Sequence, residues 1–211
     1  MSIKRYVLLV AGLLSVLPAT ALAQQPGVNS PFNPVFAIPI DNKSNTYGAG
    51  VQGLVVASSA TDIFTICGAA NIVTRIASVG VSGRATAAAS VDISLVMRST
   101  ANTGGTSSTV SATKYDSTYG TASSSVLSYT VNPTLGTNAG GANAMLSVRQ
   151  LFLGNLTTGQ PGERAIWTFG DRPSSQLALR GTAQCMAVNM NAQTASGNLM
   201  DIYVEWTENA N

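Results

Sequence analysis

The sequence predicts an all-β protein: an antiparallel β-sandwich of jelly-roll type, folded as a single domain. Two observations carry that expectation. From Tyr47 onward, short apolar runs with period-two alternation recur between turn clusters, and no segment holds a 3.6-residue apolar stripe over three turns. About ten such runs in roughly 160 residues, several of them apolar on one side only, imply two sheets packed face to face.

The chain opens with a leader. Lys4 and Arg5 precede an apolar run from Tyr6 to Leu17, followed by Pro18 and the small-residue triplet Ala21, Leu22 and Ala23. A positive start, an apolar segment of about a dozen residues and an A-x-A site are what signal peptidase reads, while the run is short of the ~20 residues needed to span a bilayer. Residues 1–23 are therefore expected to be a signal peptide, with the mature chain exported to the periplasm or beyond and no membrane span. The chain beyond Ala23 is long enough for one sizeable core and short for two ordinary domains.

Residues 24–50 carry Pro, Asn and Gly punctuation around one apolar stretch, PVFAIPI at 34–40. Pro39 has no backbone donor, so this segment suits an edge strand or an extended arm lying on a surface. Phe36, Ile38 and Ile40 alternate along it and fit a groove or open strand edge on a neighbouring subunit, which makes the segment a candidate assembly arm and a homo-oligomer the expected state.

The sandwich domain is assigned to residues 51–211, preceded by the first strand's start at 50. Strands are expected at 50–57, 62–67, 72–81, 90–98, 126–131, 145–153, 165–169, 176–179, 184–190 and 200–206. Two of them show their buried face directly. Val91, Ile93, Leu95 and Met97 alternate with Asp92 and Ser94, and Met200, Ile202, Val204 and Trp206 alternate with Asp201, Tyr203 and Glu205. Trp167 and Trp206 run in phase with apolar neighbours, as core aromatics do, rather than standing out as ligand platforms. Gly80, Gly83, Gly170 and Gly181 fit turns or bulges needing positive φ, and Pro173 fixes a turn. Arg75, Arg149 and Arg180 lie inside strand-like runs, placed either to pair with acidic residues or to form an arginine ladder at an interface.

Alternation collapses between Arg98 and Val126 into a Ser/Thr/Gly-rich stretch. Loops beyond about 12 to 15 residues in a compact domain are usually functional or disordered. Lys114, Tyr115, Asp116 and Tyr119 are its large or charged side chains, and Tyr among Ser, Gly and Thr matches adaptable binding loops, where it supplies contact area at low entropic cost. This is the candidate recognition loop; a spacer or a poorly patterned hairpin are the other readings.

Composition excludes several function classes. The chain has no histidine, which removes Ser-His-Asp triads, Cys-His pairs and the commonest zinc ligand. No calcium-loop pattern appears, and paired carboxylates such as Glu163 and Glu205 have no spacing that favours catalysis. No catalytic residue, cofactor or metal site is assigned. Losing Lys4 and Arg5 brings the 11 basic residues level with the 9 acidic ones, so the mature chain is formally neutral and has no basic footprint for nucleic acid. Cys67 and Cys185 lie 118 positions apart on expected strands of an exported chain. A disulfide between them is the expected state, worth at most about 4 to 5 kcal/mol in the chain-entropy model, the alternative being two buried thiols.

Three stretches resemble uncharacterised proteins of tailed phages and prophages: DIFTI at 62–66 with TRIASVGVSG at 74–83, MRSTANTGGT at 97–106, and WTFGDRP at 167–173 with LRGTAQ at 179–184 and DIYVEWTE at 201–208. The resemblance covers most of the mature chain and implies a virion-surface or decoration role without catalytic residues. The leader and the cysteine pair fall outside that pattern and point to an exported cellular version. The expectation is thus a non-enzymatic structural or surface-binding protein that self-associates. A virion decoration or fibre-head protein and a secreted carbohydrate-binding or carbohydrate-active protein are the alternatives, with a cell-surface or glycan ligand as partner.

Overall fold

The computed structural model describes residues 44–87, 89–171, 176–194 and 197–210. The leader, most of the 24–50 segment and the arm residues Phe36, Ile38 and Ile40 lie outside them. Twelve strands form and no helix is present among the described residues: β1 (Asn45–Val55), β2 (Ser59–Cys67), β3 (Ile72–Ala85), β4 (Ala89–Arg98), β5 (Thr106–Thr109), β6 (Thr113–Lys114), β7 (Ser125–Val131), β8 (Ser147–Asn155), β9 (Arg164–Thr168), β10 (Leu177–Arg180), β11 (Cys185–Thr194) and β12 (Leu199–Ala210).

All ten expected strands form. β1 begins at Asn45, inside the segment assigned to the arm, because Tyr47 and Ala49 turn into the core and pair with Trp206 and Val204. In place of two separate sheets, the strands follow one hydrogen-bonded path, β5-β7-β2-β11-β4-β8-β3-β12-β1-β6, which curls into a half-barrel. Every pairing is antiparallel except the short β3–β8 contact, Arg84 opposite Gly154 and Ala85 opposite Asn155, which joins the two limbs. The far edge of β3 is otherwise taken by β10 and β9.

One apolar core fills the concave side, drawing Ile63, Phe64 and Ile66 from β2, Val79 and Val81 from β3, Ile93 and Leu95 from β4, and Val204 and Trp206 from β12. The alternation expected for β12 holds throughout: Met200, Ile202, Val204 and Trp206 are buried while Asp201, Tyr203 and Glu205 stay partly exposed. In β4 the expected inward set is buried or nearly so, yet Ser94 and Val96 are buried as well. The outer face of that limb is covered: the Leu146 N–H donates to the Leu95 carbonyl at 2.7 Å, and Leu135 and Met145 line a cleft with Val96.

The Cys67–Cys185 disulfide is formed, the two residues standing directly opposite each other in the β2–β11 ladder. Oxidising compartments are where such bonds persist. Trp167 and Trp206 are core residues, at 6% and 0% exposure. Arg149, on β8, stacks its guanidinium 5.3 Å from the Trp167 ring centroid, whereas Arg75, on β3, donates from Nε to Gln176 at 3.2 Å.

Candidate functional site

The outward side of β12 is the start of the site. In register, Tyr203 faces Gly80 of β3 on one side and Gly50 of β1 on the other, while Glu205 faces Ser78 and Gly48. Glycine at these positions leaves room rather than supplying unusual backbone. A Cβ on Gly80 would sit 1.8 Å from Tyr203 Cε1, so the ring lies directly on the bare β3 backbone. Gly80 and Gly83, expected at turns with positive φ, are instead extended residues inside β3, whereas Gly170 and Gly181 do have positive φ. From β9, Arg164 stands opposite Ser82 and brings its guanidinium carbon 4.8 Å from the Tyr203 ring centroid.

Because Tyr203 leans toward β3, the β1 side of the sheet is left as a trench with a glycine floor. One cleft of about 380 Å³ is lined by Gly50, Gln52, Ser82, Arg164, Asp201 and Tyr203. A second, of about 270 Å³, continues past the shared Gly50 and Tyr203 to Gly48, Ser111, Thr113, Tyr115 and Glu205. Asp201 closes one end, accepting hydrogen bonds from the Gly53 N–H at 2.7 Å and from Arg84 Nη2 at 3.2 Å. At the other end Glu205 accepts from Ser78 Oγ at 2.7 Å and from the Tyr115 hydroxyl. That hydroxyl and Ser78 hold the Glu205 carboxyl below its ordinary range, so it stays an acceptor. The same bond, helped by partial burial and the carboxylate's charge, pushes Tyr115 up to about 12.

The candidate recognition loop divides. Tyr115 follows directly on β6, its N–H donating to the Thr46 carbonyl at 3.1 Å, and its ring lies over Gly48 while remaining 59% exposed. Tyr119 turns the other way, packing edge-on against Tyr47 with centroids 6.3 Å apart, and Val110, Ala112 and Ala122 join it against the core. Lys114 is exposed in β6 opposite Tyr47. Asp116 binds the N–H and hydroxyl of Thr118, both at 2.8 Å, which lowers its carboxyl's pKa and fixes a turn rather than reaching the trench. Only Tyr115 of the four candidates reaches it. The loop also contains β5 and β6, two short polar strands that the sequence pattern does not reveal.

Sequence reasoning missed a buried ion pair on the opposite limb. Asp62, at 0% exposure, accepts from Arg98 Nε at 3.0 Å, Arg98 Nη2 at 2.7 Å, Asn102 Nδ2 at 2.8 Å and Asn189 Nδ2 at 2.5 Å. Arg98 also donates to the Gly136 carbonyl and to Asn138, while Asn102 accepts from the Gly136 N–H. The network fastens two loops to β2, β4 and β11. Beside it Asn191 and Ala192 adopt φ of 54° and 56° in a β11 bulge, a conformation costly for Ala. The one available signal was a carboxylate at the head of the apolar run 63–66, which demands a partner.

Neither Asp201 nor Glu163 stands at hydrolytic spacing from Glu205. Asp201 and Glu205 lie four residues apart on one strand, about 13 Å, beyond the roughly 5 to 9.5 Å that glycoside hydrolysis uses. Glu163 accepts from the Phe152 N–H beside β8, and its neighbour Arg164 is level with Asp201, so the register keeps it far from Glu205. Among the described residues no three or more acidic or cysteine side chains converge as a metal site. Compared with protein-family models, curated proteins and solved structures, the chain matches none.

Proposed function

We propose that this is an exported, non-enzymatic surface-binding protein whose ligand face is the outer side of β1, β12 and β3. The observation that carries the reading is the glycine-floored trench beside Tyr203, framed by Arg164, Asp201, Glu205 and Tyr115. A strand face normally fills with side chains; here the Tyr203 ring drops onto Gly80 and leaves Gly50 bare, which keeps a concave surface open, and concavity with a few convergent polar groups is the mark of a ligand site. The absence of histidine from the chain and the separation of the carboxylates favour binding over turnover. The limbs of the curled sheet, taken as a jelly-roll-like sandwich, would act as the rigid support for that face.

Self-association belongs to the same proposal, supported by β1. Beyond Gly48, where β6 ends, no described strand pairs with residues 49–55 on the side away from β12. That edge has no charge and no proline, and only the bulge at Gly53 interrupts it. Virion decoration, which the phage resemblance suggests, is the alternative within the same class.

Cosedimentation of the purified protein with envelope fragments of its source cells tests the binding face. The protein should sediment, and Tyr115→Ala combined with Arg164→Ala should lower the bound fraction at least ten-fold at an unchanged melting temperature. No sedimentation, or sedimentation indifferent to both substitutions, would overturn the assignment.

A further inference from the structure

We infer that the trench receives a neutral oligosaccharide, a step that rests on the surface-binding reading above. The argument is by the chemistry the trench offers. Between β1 and β3 its floor is sheet backbone paired in the β1–β12 and β12–β3 ladders, and the unpaired groups of residues 49–55 lie in the sheet plane and point away from β12, so an extended peptide lying in the trench would find no strand edge to pair with. A ligand lying on this face must be recognised through side chains.

Those side chains select against charge. Arg84 is ion-paired with Asp201 at 3.2 Å, which leaves Arg164, stacked on Tyr203 with its N–H groups still able to donate, as a single cation against the carboxylates of Asp201 and Glu205. Carboxylates stand at both ends, which repels phosphate-bearing ligands. Asp201 and Glu205 already take hydrogen bonds from their own surroundings and lie too far apart to hold one cation between them. An apolar ligand would leave Gln52, Ser82, Ser111 and Thr113 facing it without partners.

What remains is a molecule rich in hydroxyls with apolar C–H faces. Glu205 and Asp201 accept from hydroxyls, Arg164 and Gln52 donate, and the outer surface of the Tyr115 ring, resting on Gly48, gives a sugar ring a flat aromatic bed. The rise of about 13 Å along β12 from residue 201 to residue 205 suits a short run of linked sugars rather than one. The open form of the trench suits binding within a polysaccharide as well as at its end.

Electrophoresis of the purified protein through native gels containing dextran, laminarin, xylan or glucomannan tests the inference, alongside the envelope cosedimentation repeated after periodate oxidation of vicinal diols. Retardation by at least one polysaccharide is expected, weakened ten-fold or more by Tyr115→Ala or Glu205→Gln and unaffected by Phe152→Ser on the other limb. Periodate should abolish cosedimentation. Absence of retardation in all four gels, with cosedimentation that survives periodate but still depends on Tyr115 and Arg164, would overturn the saccharide and leave the binding face standing. Retardation or sedimentation indifferent to Tyr115 and Arg164 would remove both.

Discussion

Truncating Asp62 to Ala should be among the most damaging single changes in the protein. The carboxylate is completely buried, its partner Arg98 is 4% exposed, and four hydrogen bonds of 2.5 to 3.0 Å converge on it. Removing one member of a buried pair leaves an uncompensated charge, a loss of about 3–5 kcal/mol. For a domain of this size that lowers the melting temperature by roughly 6 to 20 °C. Replacing both partners with apolar residues removes the charges together, so Asp62→Leu with Arg98→Met should recover at least about 1 kcal/mol relative to the sum of the single changes. Urea unfolding followed by the fluorescence of Trp167 and Trp206, both buried, reads Asp62→Ala, the single changes Asp62→Leu and Arg98→Met, and the double variant. A loss below about 1 kcal/mol for Asp62→Ala, or strictly additive single changes, would refute the reasoning. The perturbation should also free the segments that Asn102 and Gly136 tie together, detectable as new proteolytic cleavage near residues 99–105 and 132–138.

Two further outcomes are expected from the geometry. Tyr119→Ala should cost about 1–3 kcal/mol because its ring packs on Tyr47 beside the core, whereas Tyr115→Ala should stay within about 0.5 kcal/mol; equal losses in chemical denaturation would disprove the division of the loop. Glu208 supplies a pH dependence: burial alone would raise its pKa, but the N–H groups of Ser123 and Ser124 and the Trp206 indole together hold it below its ordinary value of 4.5. A depressed folded pKa gives stability that is present above the unfolded value and lost as pH falls through the folded one. The stability difference between the protein and Glu208→Gln should therefore shrink as pH is lowered from 7 to 3, and a constant difference would contradict it.

The strands were legible because most carry alternation that burial then explains, β12 most clearly. β5 and β6 were not, since Thr106–Thr109 and Thr113–Lys114 are exposed on both sides and have no apolar face to mark them. The cysteine pairing followed from residue type and the export expected from the leader pattern, although nothing in the spacing said that the two would stand opposite each other in adjacent strands. The loop tyrosines could be singled out but not separated, because which of them meets the core depends on the exit direction from β6. Tyr203 and Glu205 were placed on the outer side of β12, yet the trench itself was invisible: it exists only when Gly48, Gly50 and Gly80 come abreast of them, and that is a matter of register between distant segments.

The site is therefore a by-product of how β12 is buried. Its even-numbered residues anchor the strand at the centre of one limb, with Trp206 stacked on Tyr47 at 5.7 Å between centroids, and this fixes the level of Tyr203 and Glu205 against both neighbours. The core locks the register, and the register decides which bare backbone lies beside which ring. Gly80 then sets the direction in which Tyr203 leans, Arg164 holds the ring in that position, and Gly50 becomes open floor instead of covered wall. A larger residue at Gly80 would drive the ring away from β3 toward β1 and fill the trench without changing any of the polar groups that frame it. The concavity of such a surface is controlled by glycine placement as much as by the polar side chains, and a tyrosine needs a missing side chain across the sheet to leave a concave face beside it.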